Sequence, residues 1–192
     1  MKRLGWALTG LTIAALALGA PASAFADGYV SPFLGGNFAN NSGNGRMNVG
    51  LDAGWMGAGI AGFEFDLGFA PNFFGSPGAF GDNNVLTAMG NLIVGIPGGG
   101  THGTGLRPYL TVGGGLVRTE VNGHPAPGLV PKISDGNAGL NGGVGVIGFL
   151  TDHVGLRGDV RYFRDFRESP PGTVQFGAFH FWRASLGLVL RP

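Results

Sequence analysis

GLRGDVRYFRDF, residues 155–166, gathers five charged side chains on one extended run of a chain in which only 12% of residues are charged. Taken in steps of two, the run separates into faces. Leu156, Gly158, Val160 and Tyr162 fall on one side; Arg157, Asp159, Arg161 and Phe163 fall on the other. A period of two is the mark of a strand, because successive side chains leave a pleated backbone in opposite directions. The same alternation recurs twice. In FEFDLGF, Phe63, Phe65, Leu67 and Phe69 oppose Glu64, Asp66 and Gly68. In FWRASLGLVL, Trp182, Ala184, Leu186, Leu188 and Leu190 oppose Arg183, Ser185 and Gly187. Arg164 and Asp165 come at the end of the opening run, where their charge is expected to meet water or lipid headgroups.

The rest of the chain reads the same way. Forty glycines without a collagen period disfavour helix interiors. Eight extended runs are expected, at residues 28–39, 47–57, 60–74, 85–96, 106–121, 139–150, 154–166 and 180–192. The links after the second and sixth runs are very short, and those after the first, third, fifth and seventh are long and rich in Gly, Pro, Asn and Ser. In an up-and-down meander alternate links lie at one end, so one end is trimmed and the other decorated. Outer-membrane barrels have this asymmetry.

The faces also suit a barrel turned inside out. A soluble sheet would carry lysine, glutamate or threonine on its polar side, and lysine on its edges. Here the polar positions are often glycine, and lysine is almost absent. Apolar faces toward lipid, with small and paired polar residues in a narrow lumen, account for both. Closure follows, because hydrocarbon leaves no partner for an open strand edge. The fold class expected is therefore all-β: an eight-stranded antiparallel up-and-down transmembrane β-barrel preceded by a signal peptide. Eight strands leave an interior that side chains fill. A charge confined there is costly unless paired. A lumen network of Arg157, Asp159, Arg161, Glu64 and Asp66, with Arg183 or Arg107, is expected.

The N-terminus supports export. Lys2 and Arg3 precede an uncharged apolar run over residues 4–19, and APASAFADG then offers small residues for cleavage after Ala24 or Ala26. Residues 1–26 are read as a signal peptide and residues 27–192 as the barrel domain. Without Lys2 and Arg3, ten basic side chains face eleven acidic ones. Such a chain has no basic field for nucleic acid. With no cysteine, thiolate metal sites and thiol catalysis are excluded.

GYVSPFLGG, NLIVGIP, RPYLTVGGGL, GLRGDVRYFRDF and FWRASLGLVL together resemble the small outer-membrane β-barrel proteins of the OmpA/OmpX/OmpW-like superfamily. The resemblance spans nearly the whole mature chain. It implies the outer membrane of a Gram-negative-type bacterium, contact with outer-membrane lipid and insertion by the barrel assembly machinery. Barrels of this kind usually close on a lipid-facing aromatic residue; Pro192 holds that parity here.

Other motifs carry little chemistry. GGGTHG, residues 98–103, satisfies G-x-G-x-x-G, but a strand follows it where a dinucleotide site needs a helix. His102, His124, His153 and His180 lack metal-ligand spacing, and His180 and Ser185 have opposite parity on one run. No catalytic, cofactor or metal site is expected. Among Tyr29, Tyr109, Tyr162, Trp55, Trp182 and Phe73 near run ends, Tyr162 and Trp182 have outward parity and are the candidates for an interfacial aromatic girdle; Tyr109 is expected inside. The function expected is a monomeric barrel with a structural or surface-interaction role, its loops free to contact a partner. The alternatives are a narrow OmpW-like channel for small apolar molecules and a soluble lipocalin-like binder with an apolar interior.

Overall fold

The computed structural model describes residues 28–38, 45–74, 82–98, 104–122, 133–166 and 179–192. The expected signal segment, His102, His124 and all of GGGTHG but Gly98 lie outside the described residues. Eight strands appear: β1 (Gly28–Phe38), β2 (Arg46–Gly57), β3 (Ala61–Pro71), β4 (Asp82–Gly95), β5 (Gly105–Asn122), β6 (Ile133–Phe149), β7 (Val154–Asp165) and β8 (His180–Leu190). Each pairs antiparallel with its neighbour in sequence, and β1 pairs with β8 to close the barrel. The closing register runs from Val30↔Leu190 to Phe33↔Gly187 and onward to Phe38↔Trp182, skipping Ser31 and Pro32. Proline has no N–H to give to a ladder, which accounts for the gap.

Which side of the wall is apolar settles the environment. Phe63 is 65% exposed and Leu186 75%, whereas Asp66 and Arg161 are 0% exposed. That is the reverse of a water-soluble barrel, whose large apolar side chains are withdrawn and whose lone charges stay wet. The soluble lipocalin-like alternative is thereby overturned. Among the described residues no helix is long and apolar enough to cross a membrane; the crossing is made by strands.

The turns follow local chemistry. Between β2 and β3, Ala58 and Gly59 both adopt left-handed backbone, with φ of 49° and 67°. Ile60 N–H then bonds Gly57 O at 3.0 Å, the geometry of a primed hairpin turn that matches strand twist. Between β6 and β7, Thr151 Oγ1 accepts from the N–H groups of His153 and Val154 at 3.2 and 3.0 Å.

Three segments differ from the periodicity reading. β4 starts at Asp82, three residues before the expected 85, because residues 82–84 pair with β5 from Asp82↔Asn122 to Asn84↔Glu120. β6 starts at Ile133, not at residue 139, because residues 133–138 pair with β5 from Val121↔Ile133 to Leu116↔Ala138. Ladder hydrogen bonds hold a polar, glycine-containing stretch that shows no apolar alternation. β3 ends at Pro71, and Asn72 turns through φ 52°. That residue breaks the alternation and sends Phe73 into the lumen, where it is fully buried.

Inside, the barrel is layered. Near the long connections, Ala70, Phe73, Val85, Met89, Val117, Phe163, Phe179 and Phe181 form one apolar layer. Near the short turns, Tyr29, Met56, Ile93, Tyr109, Ile147, Phe149 and Val189 form another. Asp52, Glu64, Asp66, Arg157, Asp159, Arg161 and Arg183 lie between the two.

Candidate functional site

The site is this middle layer, and parity builds it. β7 projects Arg157, Asp159 and Arg161 inward, β3 projects Glu64 and Asp66, β8 Arg183 and β2 Asp52; each is 5% exposed or less. Room for them comes from glycine on β6. A Cβ at Gly143 would stand 2.7 Å from Arg161 Cγ, and one at Gly145 would stand 2.7 Å from Asp159 Cβ.

Arg161 is central. Its Nη2 reaches Glu64 Oε1 at 2.7 Å and Asp159 Oδ2 at 3.2 Å, while Nη1 reaches Asp66 Oδ2 at 3.1 Å. Arg157 Nη1 meets Glu64 Oε2 at 2.5 Å and Asp52 Oδ2 at 3.2 Å, and its Nε meets Asp159 Oδ2 at 3.0 Å. Arg183 grips Asp66 with both terminal nitrogens, Nη1 at 3.1 Å from Oδ1 and Nη2 on Oδ2. Such a fork on a carboxylate is among the strongest charge-assisted contacts. In the register Arg161 stands directly opposite Arg183. Like charges so placed repel, and Asp66, shared by both guanidiniums, offsets this.

Neutral donors and rings complete the layer. Tyr29 Oη donates to Glu64 Oε2 at 2.7 Å, Tyr109 Oη to Asp159 Oδ2 at 2.9 Å, Ser185 Oγ to Asp159 Oδ1 at 2.9 Å and Asn91 Nδ2 to Glu64 Oε1 at 3.3 Å. Arg157 Nε donates to Tyr109 Oη at 2.6 Å. The Arg183 guanidinium lies between Phe33 and Phe163, 4.6 and 4.8 Å from the ring centres. Cation–π contact of this kind strengthens when water is excluded.

Arg107 is buried but lies apart. It occupies the inward step next to Tyr109 on the short-turn side, over the Phe149 ring at 4.7 Å. Tyr162 and Trp182 face outward at the long-connection end with ring centres 5.1 Å apart. Tyr29, Tyr109 and Phe73, also near run ends, face inward. Asp165 corrects an expectation: its side chain is 2% exposed and accepts the Phe179 N–H at 2.9 Å, while Arg164 faces out. The carboxylate thus anchors the return of the chain into β8. Ser185 points into the lumen and His180 away from it, so they share no site. Among the described residues no three His, Cys, Asp or Glu are placed to hold a metal ion.

The periodicity reading overlooked Asp52. Its signal was present in VGLDAGW, where Val49, Leu51, Ala53 and Trp55 alternate with Gly50, Asp52 and Gly54. Asp52 lies opposite Asp66 in the β2–β3 register. It is held most loosely, by Arg157 at 3.2 Å and Arg161 at 3.9 Å. Among the described residues of the layer, Asp52, Glu64, Asp66 and Asp159 outnumber Arg157, Arg161 and Arg183 by one. Asp52→Asn removes the surplus carboxylate with little change in shape. It should alter the free energy of unfolding by no more than about 1 kcal/mol, or raise it. A urea midpoint in detergent micelles or vesicles checks this, and a loss above about 3 kcal/mol would show that Arg157 depends on Asp52 for its charge balance.

The arrangement is a buried ionic cluster. Its carboxylates are engaged by guanidinium, phenol, amide or hydroxyl groups, and an apolar layer lies above and below. General acid–base work needs a group that a substrate can reach.

The comparisons agree with this architecture. Residues 12–188 match the family described as "Outer membrane protein beta-barrel domain". Among solved structures, Neisserial surface protein A (NspA) is similar with a TM-score of 0.64 and 18% identity, covering 86% of this chain and 97% of that one. Ail, the attachment invasion locus protein of Yersinia pestis, solved with the heparin analogue sucrose octasulfate, follows at 0.54 and 11% identity, covering 86% and 97%. The N-terminal β-barrel domain of Pseudomonas aeruginosa OprF gives 0.53 and 16%, covering 85% and 95%. No curated protein matches the sequence significantly.

Proposed function

The chain belongs to the outer membrane protein beta-barrel domain family and resides in the bacterial outer membrane, and from its layered interior we propose that it is a non-catalytic, non-conducting barrel. Its role is structural or interactive: the wall supports the envelope, and the four long connections are displayed for contact at the cell surface. The reading includes export with removal of residues 1–26, insertion by the barrel assembly machinery and a monomeric barrel.

The observation that carries it is the stacking of layers along the lumen. Phe73, Phe163 and Phe181 pack ring on ring near one end, with centres 4.9 to 5.1 Å apart. Tyr29, Met56, Ile93, Tyr109 and Phe149 fill the other. An ion entering would first shed its water against phenylalanine. An apolar solute would next have to part the ion pairs of Arg157 and Arg161. Neither path suits the alternative of a narrow channel for apolar molecules.

Purified protein in planar bilayers should therefore give no steady unitary current at any holding potential. Discrete, reproducible conductance steps from the folded, heat-modifiable form would overturn the sealed reading and favour a conduit.

A further inference from the structure

The lipid-facing wall is uneven. In register across β6, β7, β8 and β1 run the rows Val146–Gly158–Leu186–Leu34 and Val144–Val160–Ala184–Gly36. Gly158 and Ala184 carry almost no side chain, and around them the wall dips. The result is an open apolar groove of about 840 Å³, floored by these two residues and flanked by Val144, Val146, Leu34 and Leu186. This volume is in the range of ligand-binding clefts.

Toward the long connections the same ladder climbs to a different chemistry. The next outward pair on β7 and β8 is Tyr162↔Trp182, and above it is Arg164↔His180. The Tyr162 ring lies 5.1 Å from Trp182 and 5.9 Å from His180, so the three make one continuous platform. Asp165, which could have neutralised Arg164, is turned into the lumen. Among the described residues of β7 and β8 no carboxylate faces outward. Arg164 and His180 thus lie one outward step beyond Tyr162 and Trp182 toward the long connections, and the apolar groove begins on the other side of the rings.

The spacing fits one molecule. Arg164 and Gly158 are six residues apart on β7, about 20 Å along a strand. With the strand tilt of such barrels this is about 15 Å of depth, half the hydrocarbon core. One acyl chain held below its own headgroup spans this distance. A second barrel would present a convex wall, which cannot follow a groove one side chain deep.

We propose that this face binds a lipid with an anionic phosphate headgroup, from the leaflet nearest the long connections. The phosphate sits at Arg164 and His180, the headgroup lies against Tyr162 and Trp182, and one acyl chain occupies the groove over Gly158 and Ala184. The site differs from a general aromatic girdle in two ways: it selects by headgroup charge, and it holds one chain in a fixed place.

The test uses Trp182 as reporter, in the full chain carrying Trp6→Phe and Trp55→Phe, folded in phosphatidylcholine vesicles. Each sample contains a small, equal fraction of chain-brominated lipid, either phosphatidylglycerol or phosphatidylcholine. Brominated phosphatidylglycerol should quench with an association constant about five-fold higher, the effect of one basic side chain at a membrane surface. Arg164→Gln should bring the ratio close to one. Arg118→Gln, at the same end on β5, should leave it unchanged. A Cβ at Gly158 would meet Leu186 Cδ2 at an ordinary 3.4 Å, so a side chain can start there, and Gly158→Leu should occupy the groove and weaken quenching by both lipids. Heat-modifiable mobility confirms folding of each variant. Equal quenching by the two lipids in the parent overturns the proposal, and so does a ratio that survives Arg164→Gln. Shielding of Trp182 from both lipids, together with a cross-linked dimer, would assign the face to a second copy and overturn it as well.

Discussion

Arg161→Met should lower the stability of the barrel by about 3–5 kcal/mol, the usual effect of removing one partner from a buried ionic cluster. The side chain is fully buried and bonds Glu64, Asp66 and Asp159. Methionine fills similar space but leaves carboxylates facing one another in a medium that solvates them poorly. Glu64 and Asp159 would keep Arg157, and Asp66 would keep Arg183. The layer would then hold four carboxylates against two guanidiniums. The measurement is a urea or guanidinium titration followed by tryptophan fluorescence and gel mobility. An unchanged midpoint would mean that water reaches the layer and solvates the orphaned carboxylates. That outcome would also undercut the sealed interior. Beside it, Asp52→Asn is the informative contrast, because it removes a charge from the side already in excess.

Phe181→Ala should lower stability by a comparable amount, about 3–5 kcal/mol. The ring stacks on Phe163 at 4.9 Å and packs edge-on against Phe73 at 5.1 Å and tilted against Phe179 at 5.5 Å. Its removal opens a void in the layer beneath the long connections, and the stiff closed wall cannot collapse to fill it. Phe63 provides the comparison. It is 65% exposed on the outer face, so in the folded barrel its surroundings are lipid. Phe63→Ala loses contacts that acyl chains partly replace, and should lower stability by less than half as much as Phe181→Ala. If the two effects were equal, or reversed, the assignment of inner and outer faces would be wrong.

The architecture was legible because alternation is a local property. FEFDLGF and GLRGDVRYFRDF each state which side chains share a face without reference to any partner strand. Lipid on the apolar side then requires closure, and eight runs give a barrel of fixed width. The alternating short and long links placed the two ends. The reading failed where local chemistry overrides the period. Asn72 turned Phe73 inward through a left-handed backbone, and the pairing of residues 133–138 with β5 extended β6 through a stretch without alternation.

The site was legible as a list but not as a map. Parity put Arg157, Asp159 and Arg161 on one face, yet it does not say which residues of other strands stand at the same height. That is set by the stagger between strands as the barrel closes. Register brought Asp52 beside Asp66, put Arg161 opposite Arg183 and held Arg107 apart, over Phe149. It also aligned Gly158 with Leu186 and Val160 with Ala184, which is why the outer wall has a groove there. By itself the sequence determined a two-faced strand repeated around a closed wall, because the pleat makes that choice residue by residue. Only the tertiary structure decided which charges meet, which carboxylate is in surplus and where the wall dips, because those depend on the offset between strands far apart in the chain.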